Sequence, residues 1–176
     1  MSATRLSSYS VAGTRQEAAS IMDGFNPERG FRVTLILADA AQVAEGKLNV
    51  LGGGWNEIGP QPTPFAVAGI IEVPWNLANQ PHTFRLELID LDGNPVLVPT
   101  PTGSEPFALE GGFEVGRPPG TPPGTSLPFS LAMNVGPVPL PVDSRFEWRL
   151  LVDGECAEDW RLAFRTRPAQ SLPRAA

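Results

Sequence analysis

One stretch decides the fold that this sequence predicts: "RFEWRLLVDGECAEDWRLAFR" (Arg145–Arg165). Apolar residues occupy every second position on either side of an Asp-Gly pair, and charged residues stand between them. Such alternation is typical of a β-strand with one buried face, and Asp-Gly favours a two-residue hairpin turn. The stretch therefore predicts a β-hairpin with an apolar inner face and a charged outer face.

The same alternation extends toward the N-terminus. Six more runs between Phe31 and Val135 have it, and turn residues separate them. Eight such runs predict an all-β protein, an antiparallel β-sandwich of the Ig-like or C2-like kind with about eight strands. A closed barrel is the alternative. We expect a flexible N-terminal tail at 1–30, the sandwich domain at 31–168 and a C-terminal tail at 169–176.

Composition limits both the architecture and the partners. A chain of 176 residues suits one domain with a sizeable core, and its 18 glycines and 20 prolines indicate many turns. The net charge of -6 argues against nucleic acid, because phosphate binding needs clustered Lys and Arg. It argues equally against an anionic membrane surface. We therefore expect neither partner.

The sequence also indicates a compartment. Cys156 is the only cysteine, so no disulfide can form within the chain. The first residues lack the apolar segment of a secretory signal, and no apolar run reaches the length of a transmembrane helix. These features predict a cytoplasmic protein in a reducing environment.

Four arginines share the outward face of the predicted hairpin: Arg145, Arg149, Arg161 and Arg165. They could bind an anionic ligand or an acidic protein partner. They could equally pair with glutamates across neighbouring strands, such as Glu147 and Glu87. We favour pairing and keep the four arginines as candidates for an interaction surface.

Two acidic turns are weak candidates for a metal site. Asp90 and Asp92 end one predicted strand, and Asp153 and Glu155 lie in the hairpin turn. If both turns lie at one end of the sandwich, their oxygens could form a calcium cup, because Ca²⁺ takes roughly six to eight oxygen ligands. The interpretation that we favour is turn geometry and solubility, with no metal bound.

Catalytic clusters are absent from the sequence. His82 is the only histidine, so a Ser-His-Asp triad could be built only around it, and no Gly-x-Ser-x-Gly elbow accompanies it. A dyad of Cys156 and His82 would require two distant segments to meet, and the acidic surroundings of Cys156 disfavour its thiolate. We therefore expect neither an enzyme nor a cofactor.

Three further features of the sequence are a glycine run, two tryptophans next to predicted loops, and two Pro-rich segments. The run Gly52–Gly54 is followed by Trp55 and lacks the Lys and the helix of a P-loop, so positive φ, a bulge or close backbone approach explains it better. Trp55 and Trp75 are candidates for an interface or for stacking on a sugar. The Pro-rich loops 116–128 and 136–143 should be extended connections.

Several motifs resemble a known family. They are "LADAAQVAEGKLNVLGGGW" (37–55), "IEVPWNLANQPHTFRLELIDLDG" (71–93), "FEVGRPPGTPPGTSLP" (113–128) and "FEWRLLVDGECAEDWRLAFRTRP" (146–168). They are similar to a family of small bacterial proteins, mainly actinobacterial, that is a domain of unknown function. Its hallmark here is LADAAQV-x3-KL-x2-LGGGW. The resemblance covers roughly 31–168 and implies one compact domain without known catalytic residues.

Two functional hypotheses follow from these observations. The first is a non-enzymatic structural or protein-interaction module, whose partner is another protein or a second copy in a homo-oligomer, with edge strands and Pro-rich loops as contact surfaces. The alternative is a small-ligand-binding sandwich, which takes a carbohydrate through Trp55 or Trp75, or calcium through the acidic turns. The first is favoured because catalytic clusters are missing.

Overall fold

The described part of the chain folds into two main β-sheets around one apolar core. The computed structural model describes residues 30–169. Of the predicted tails 1–30 and 169–176, only Gly30 and Ala169 lie within these described residues. The strands are β1 (Arg32–Ala38), β2 (Ala40–Ala44), β3 (Lys47–Leu51), β4 (Glu57–Ile58), β5 (Phe65–Val73), β6 (Pro81–Asp90), β7 (Leu97–Thr100), β8 (Gly103–Pro106), β9 (Ala108–Glu114), β10 (Leu127–Val135), β11 (Arg145–Val152) and β12 (Arg161–Thr166). Short 3-10 turns occur at Trp75–Leu77 and Glu158–Trp160.

The two main sheets have three and five strands. The three-stranded sheet has the order β1-β5-β10, and the five-stranded sheet has the order β4-β12-β11-β6-β9. All neighbours are antiparallel except β4 and β12, which run parallel over two residue pairs. The pairs β2-β3 and β7-β8 form separate hairpins. None of the helices among residues 30–169 has the length and apolar character needed to cross a membrane.

The core lies between the inner faces of the two sheets. Val67 and Ile71 of β5 and Trp148 and Leu150 of β11 are fully buried there. They join one cluster with apolar side chains from β1, β6, β9, β10 and β12. Burial of one such side chain contributes about 1.5–3 kcal/mol, so the alternating pattern fixes which face of each strand turns inward. The prediction of an all-β sandwich is confirmed.

All eight predicted strands are present, and four further strands accompany them. The additional strands are β2, β4, β7 and β8. β2 consists mostly of alanine, β4 has two residues, and β7 and β8 carry prolines. None of these segments has an apolar alternation long enough to be recognised from the sequence.

The β2-β3 hairpin lies over the outer face of the three-stranded sheet. Small side chains permit this close approach, because Ala41 packs in a cluster with Ala38, Ala66 and Ala68. Asn134 of β10 fixes the hairpin: its Oδ1 accepts from the Ala41 N–H at 3.2 Å and its Nδ2 donates to the Ala41 carbonyl at 2.8 Å. β5 is therefore buried on both faces for most of its length.

The glycine run after β3 has the structural role that we expected. Gly52 and Gly54 have φ values of 61° and 97°, which favour glycine. A Cβ on Gly53 would lie 2.7 Å from Val50 Cγ1, and the Gly54 N–H donates to the Leu37 carbonyl at 2.8 Å. The run returns the chain to the edge of β1, with close packing at Gly53 and left-handed backbone at Gly52 and Gly54.

Candidate functional site

The four arginines of the predicted charged face lie together on the β11-β12 hairpin. Strand register sets Arg145 directly opposite Arg165 and Arg149 directly opposite Arg161. Opposed residues on one face have Cβ atoms about 5 Å apart, and like charges in this position destabilise a sheet. The hairpin thus carries two unfavourable pairs that its surroundings must offset.

These side chains line an open groove of about 710 Å³ on the outer face of the five-stranded sheet, which we call the arginine groove. Ile89 and Ala163 contribute apolar surface to it, and the turn Asp90–Gly93 and Asn56 complete its lining. Leu91 of that turn is 73% exposed. The structure thereby brings the arginines together with the first of the two predicted acidic turns.

Glutamates offset most of the positive charge of the groove. The ion pairs are Arg149–Glu87 at 2.9 Å, Arg161–Glu147 at 3.5 Å, Arg165–Glu57, and Arg167–Glu57 at 3.5 Å. Three of the four candidate arginines are therefore paired, as the favoured interpretation expected. Each such exposed ion pair contributes about 0–1 kcal/mol to stability. The pairs therefore orient the arginine side chains but constrain them only weakly.

Arg145 is the exception. Within residues 30–169 it forms no ion pair, and its side chain is exposed at the end of the groove. Arg149 also has an unsatisfied donor, since its Nε is buried and has no hydrogen-bond acceptor among the described residues. The groove therefore holds cationic donors that the described residues leave unsatisfied.

Asp90 builds the turn beside the groove. Its Oδ1 accepts hydrogen bonds from the backbone N–H groups of Asp92 and Asn94 at 2.9 and 2.8 Å. Gly93 follows with φ 80°, the left-handed conformation that closes a three-residue loop. The hydrogen bond from the Asn94 N–H is the largest contribution to the lowered pKa of Asp90. The carboxylate is engaged in turn geometry, which is the interpretation that we favoured.

The second acidic turn lies at the opposite end of the sheet. Asp90 pairs with Phe146 at the start of β11, whereas Asp153 and Glu155 follow the end of the same strand. The hypothesis of one calcium cup from both turns, with Asp92 as a further ligand, is therefore wrong, because a strand length separates them. In the part of the chain that the structure describes, no three His, Cys, Asp or Glu side chains are grouped to hold a metal ion.

Asp153 instead binds the only histidine. His82 Nδ1 lies 2.7 Å from Asp153 Oδ2, and His82 Nε2 lies 2.7 Å from the carbonyl oxygen of Leu77. Both partners are acceptors, so both contacts are hydrogen bonds only when the ring is protonated at both nitrogens. Burial alone would lower the pKa of His82, but the Leu77 carbonyl and the Asp153 carboxylate outweigh it and raise the pKa above 6.5.

This arrangement leaves His82 without a free ring nitrogen for a nucleophile. Its side chain is buried against Phe31 and Phe113, with ring centroids 4.9 and 5.4 Å away. The Cys156 thiol contacts the carbonyl of the adjacent Ala157 and not the histidine. Neither the triad nor the dyad considered from the sequence has its geometry among the described residues.

The two candidate tryptophans are partly covered. Trp55 packs on the core, edge-on to Phe65 with ring centroids 6.0 Å apart. The guanidinium carbon of Arg117 lies 4.8 Å from the centre of the Trp75 ring, and Arg117 Nε donates to the Trp75 carbonyl at 3.1 Å. One ring is thus a core element and the other anchors the Pro-rich loop.

That loop is not extended as we expected. Its repeated Pro-Pro-Gly-Thr segments form two consecutive β-turns, 118–121 and 122–125, closed by backbone bonds of 3.2 and 3.3 Å. Gly120 and Gly124 have φ values of 86° and 85°, so Pro at the second position and Gly at the third make both turns type II. The prediction of an extended connection is wrong for 116–128, because Gly120 and Gly124 reverse the chain twice.

Comparison with family models adds one finding. Residues 33–165 match the model of a family of unknown function, DUF6941. The chain belongs to this family. The matched span runs from β1 into β12, so it includes both sheets and all four arginines of the groove. The expectation of membership in a family of unknown function is confirmed.

Other comparisons add little. No curated protein matches this DUF6941 member. Among solved structures it is similar to the sensor domain of the anti-sigma factor RsgI4 from Pseudobacteroides cellulosolvens, at 9% identity and a TM-score of 0.36. That similarity covers 82% of this chain and 99% of the other. A likeness of this size carries no argument about function.

Proposed function

We propose that this DUF6941 member is a non-enzymatic protein-interaction module that pairs with a second copy of itself through strand β10. The observation that carries the proposal is the free edge of β10 (Leu127–Val135). One side of β10 pairs with β5 in antiparallel register over all nine residues. The other side makes no backbone hydrogen bond with any described residue, which leaves a row of donors and acceptors open to another strand.

β10 has little of the protection that is usual for an edge strand. Its sequence LPFSLAMNV is nine residues long and contains no charged residue, whereas natural edges are usually short, charged, bulged or interrupted by proline. Pro128 near its start is the one such feature, and the seven residues after it are unprotected. The edges of the five-stranded sheet are protected in this way, since β4 has two residues and β9 carries Glu110, Glu114 and the pair Gly111–Gly112. The contrast within one molecule supports β10 as the surface of assembly.

Proline sets the direction of the free groups. Pro128 has no N–H, and proline occurs in strands where the missing donor would point away from the neighbour. In a β-strand, the N–H groups of every second residue point to the same side. The N–H groups of Ser130, Ala132 and Asn134 therefore also point away from β5. Antiparallel pairing about Leu131 would set Ser130 opposite Ala132 of the partner subunit and keep the apolar faces on one side.

The mass in solution tests the proposal. Light scattering after size exclusion should give twice 18.8 kDa for the full chain and 18.8 kDa for Ser130→Lys, because a lysine on each copy brings like charges together at the edge. Ser130→Ala is the matched control. It also loses the 3.1 Å hydrogen bond to the Gly46 carbonyl, but it adds no charge and should remain a dimer. A monomeric wild-type chain, or a dimeric Ser130→Lys variant, would overturn the proposal.

Three further parts complete the proposal: a protein partner, a cytoplasmic location and a family signature. The net charge of -6 favours a protein partner over nucleic acid or membrane, and the single cysteine suits the cytoplasm. The motif LADAAQV-x3-KL-x2-LGGGW at 37–55 spans the β2-β3 hairpin and its glycine return. We therefore take it as the signature of an actinobacterial-type group whose hairpin covers the three-stranded sheet.

A further inference from the structure

We infer that His82 and the Leu77 carbonyl form a pH-sensitive latch on the Pro-rich loop 116–128. The latch is closed while the imidazole ring carries both protons, and it opens when the ring becomes neutral. The inference depends on the two acceptors that flank the ring and on the hydrogen bonds that join the turn at Leu77 to the loop. It concerns the loop alone, so it does not depend on whether the chain pairs through β10.

The ring lies between two acceptors that it can satisfy together in only one protonation state. Nδ1 lies 2.7 Å from Asp153 Oδ2, and Nε2 lies 2.7 Å from the Leu77 carbonyl oxygen. A neutral ring has one N–H and one lone pair, so one of the two contacts then brings lone pairs face to face. Because His82 is only 5% exposed, water cannot readily replace the lost partner, and the unpaired acceptor carries a desolvation cost.

The contact with Leu77 is the one that a neutral ring loses. A carboxylate is a stronger acceptor than an amide carbonyl, and Asp153 Oδ1 is held in place by the Thr83 N–H at 2.8 Å. The remaining proton therefore stays on Nδ1, and the lone pair of Nε2 faces the Leu77 carbonyl. That carbonyl ends the 3-10 turn Trp75–Leu77, and the last carbonyls of a helical turn have no partner within it. Loss of the ring proton thus leaves this end of the turn unsatisfied.

The charged groups around the ring favour the closed state. Burial alone would lower the pKa of His82, but its two acceptors and the charges of Asp153 and of Glu114 on β9 outweigh burial and raise the pKa above 6.5. The rings of Phe31 and Phe113, which pack on the imidazole, are uncharged, and the 3-10 turn has no titratable side chain. The latch is therefore closed at acidic pH and opens as the pH rises through the raised pKa.

The turn that the ring holds is also the anchor of the loop. Arg117 donates from Nε to the Trp75 carbonyl at 3.1 Å and from Nη2 to the Ala78 carbonyl at 3.2 Å. Its guanidinium carbon also lies 4.8 Å from the centre of the Trp75 ring. Both carbonyls are within two residues of Leu77, so a displacement of the Leu77 peptide changes the position of the acceptors that hold Arg117.

Asn79 continues the connection into the loop. Its N–H donates to the Val115 carbonyl at 2.9 Å, and its Oδ1 accepts from the Arg117 N–H at 2.9 Å. The two β-turns that follow, 118–121 and 122–125, are each closed by one backbone bond, and their four prolines are exposed. The hydrogen bonds that fix the loop to the domain thus lie at its first residues, next to the latch.

Hydrogen exchange at the backbone amides of Asn79 and Arg117 tests the latch in the full chain. Each rate is divided by that of an unstructured peptide at the same pH, which gives a protection factor. In the wild type, this protection should fall about tenfold between about pH 5.5 and about one unit above the measured pKa of the ring, the effect of losing one buried hydrogen bond. Amides of the central strand β5 report global unfolding and should remain more protected at both pH values.

Asp153→Asn separates the latch from a merely structural role of Asp153. The new amide N–H would face His82 Nδ1, so a neutral ring must carry its proton on Nε2 and keep its bond to Leu77. Protection of the loop should therefore stay high at both pH values in this variant. Asp90→Asn is the matched control, because Asp90 also accepts backbone bonds in a turn but lies at the other end of the sheet. It should show the same fall as the wild type.

Every outcome bears on the inference. A fall in protection that occurs in the wild type and in Asp90→Asn but not in Asp153→Asn supports the latch. Wild-type protection that does not change with pH would overturn it. An equal fall in Asp153→Asn would assign the effect to another titrating group, and protection lost at both pH values would leave Asp153 a structural role only. Equal changes in the loop and in β5 would show a change in global stability, and each of these last three results would also refute the latch.

Discussion

Replacing Asp153 with asparagine should remove the charge that keeps His82 protonated while preserving the turn. Asp153 has φ 51°, a conformation that Asn accepts readily, and Asn-Gly is a preferred pair in this kind of hairpin turn. The new Oδ1 can still accept from the Thr83 N–H, which lies 2.8 Å from Asp153 Oδ1. The new amide N–H would face His82 Nδ1, so the ring must give up its proton there.

The magnitude follows from the loss of one charge-assisted hydrogen bond at a partly exposed site. Such bonds contribute about 1.5–3 kcal/mol. Because 43% of the Asp153 side chain is exposed, solvent screening reduces this contribution. We expect Asp153→Asn to lower the free energy of unfolding by about 1–2 kcal/mol near pH 5.5.

The dependence on pH distinguishes this pair from an ordinary surface contact. The folded-state pKa of His82 lies above its usual 6.5, with Glu114 adding to the effect of Asp153. Its stabilisation is therefore complete below pH 6.5 and is lost as the pH rises through the folded pKa. Burial alone would raise the pKa of Asp153, but hydrogen bonds from Thr83 and His82 outweigh it and lower the pKa below 3.8. The stabilisation from Asp153 is therefore present above pH 3.8 and is lost as the pH falls through the lowered pKa. The variant should differ most from wild type between these limits.

Urea unfolding at about pH 5.5 and at a pH above the folded pKa of His82 measures the effect. NMR titration of the ring complements it, because the chain has one histidine and its ring signals need no assignment. The titration should give a pKa above 6.5 in the wild type and a lower one in the variant. An equal loss of stability at both pH values, or a wild-type pKa at or below 6.5, would refute the reasoning.

Three further predictions follow from the packing and the turns. Gly69→Ala should cost about 2–3 kcal/mol in urea unfolding, because a Cβ would lie 2.4 Å from the Thr34 carbonyl oxygen, whereas the control Gly136→Ala meets nothing within 4 Å. Asn134→Ala should cost about 1–2 kcal/mol and speed hydrogen exchange in β2, since it removes both bonds to Ala41. Millimolar calcium should leave the melting temperature unchanged, because the acidic turns lie at opposite ends of the sheet; a rise that a chelator reverses would contradict this.

The sequence predicted the strands that bury a long apolar face and missed those that depend on distant partners. Alternation in β11 was sufficient, since burial of every second side chain outweighs local preferences. β2 has no such signal, because alanines at Ala41 and Ala44 are compatible with several structures. Its position follows from Asn134, which lies 93 residues away from Ala41. Contacts of that range are not encoded in a local pattern.

The same distinction holds for the candidate site. The arginine face was predictable, because the alternation that buries Trp148 turns Arg145 and Arg149 outward. That the Asp90 turn would lie beside them was not, since it depends on the register between β6 and β11. His82 and Asp153 were both noticed, but their contact spans 71 residues, and Asp153 was interpreted as a metal candidate instead.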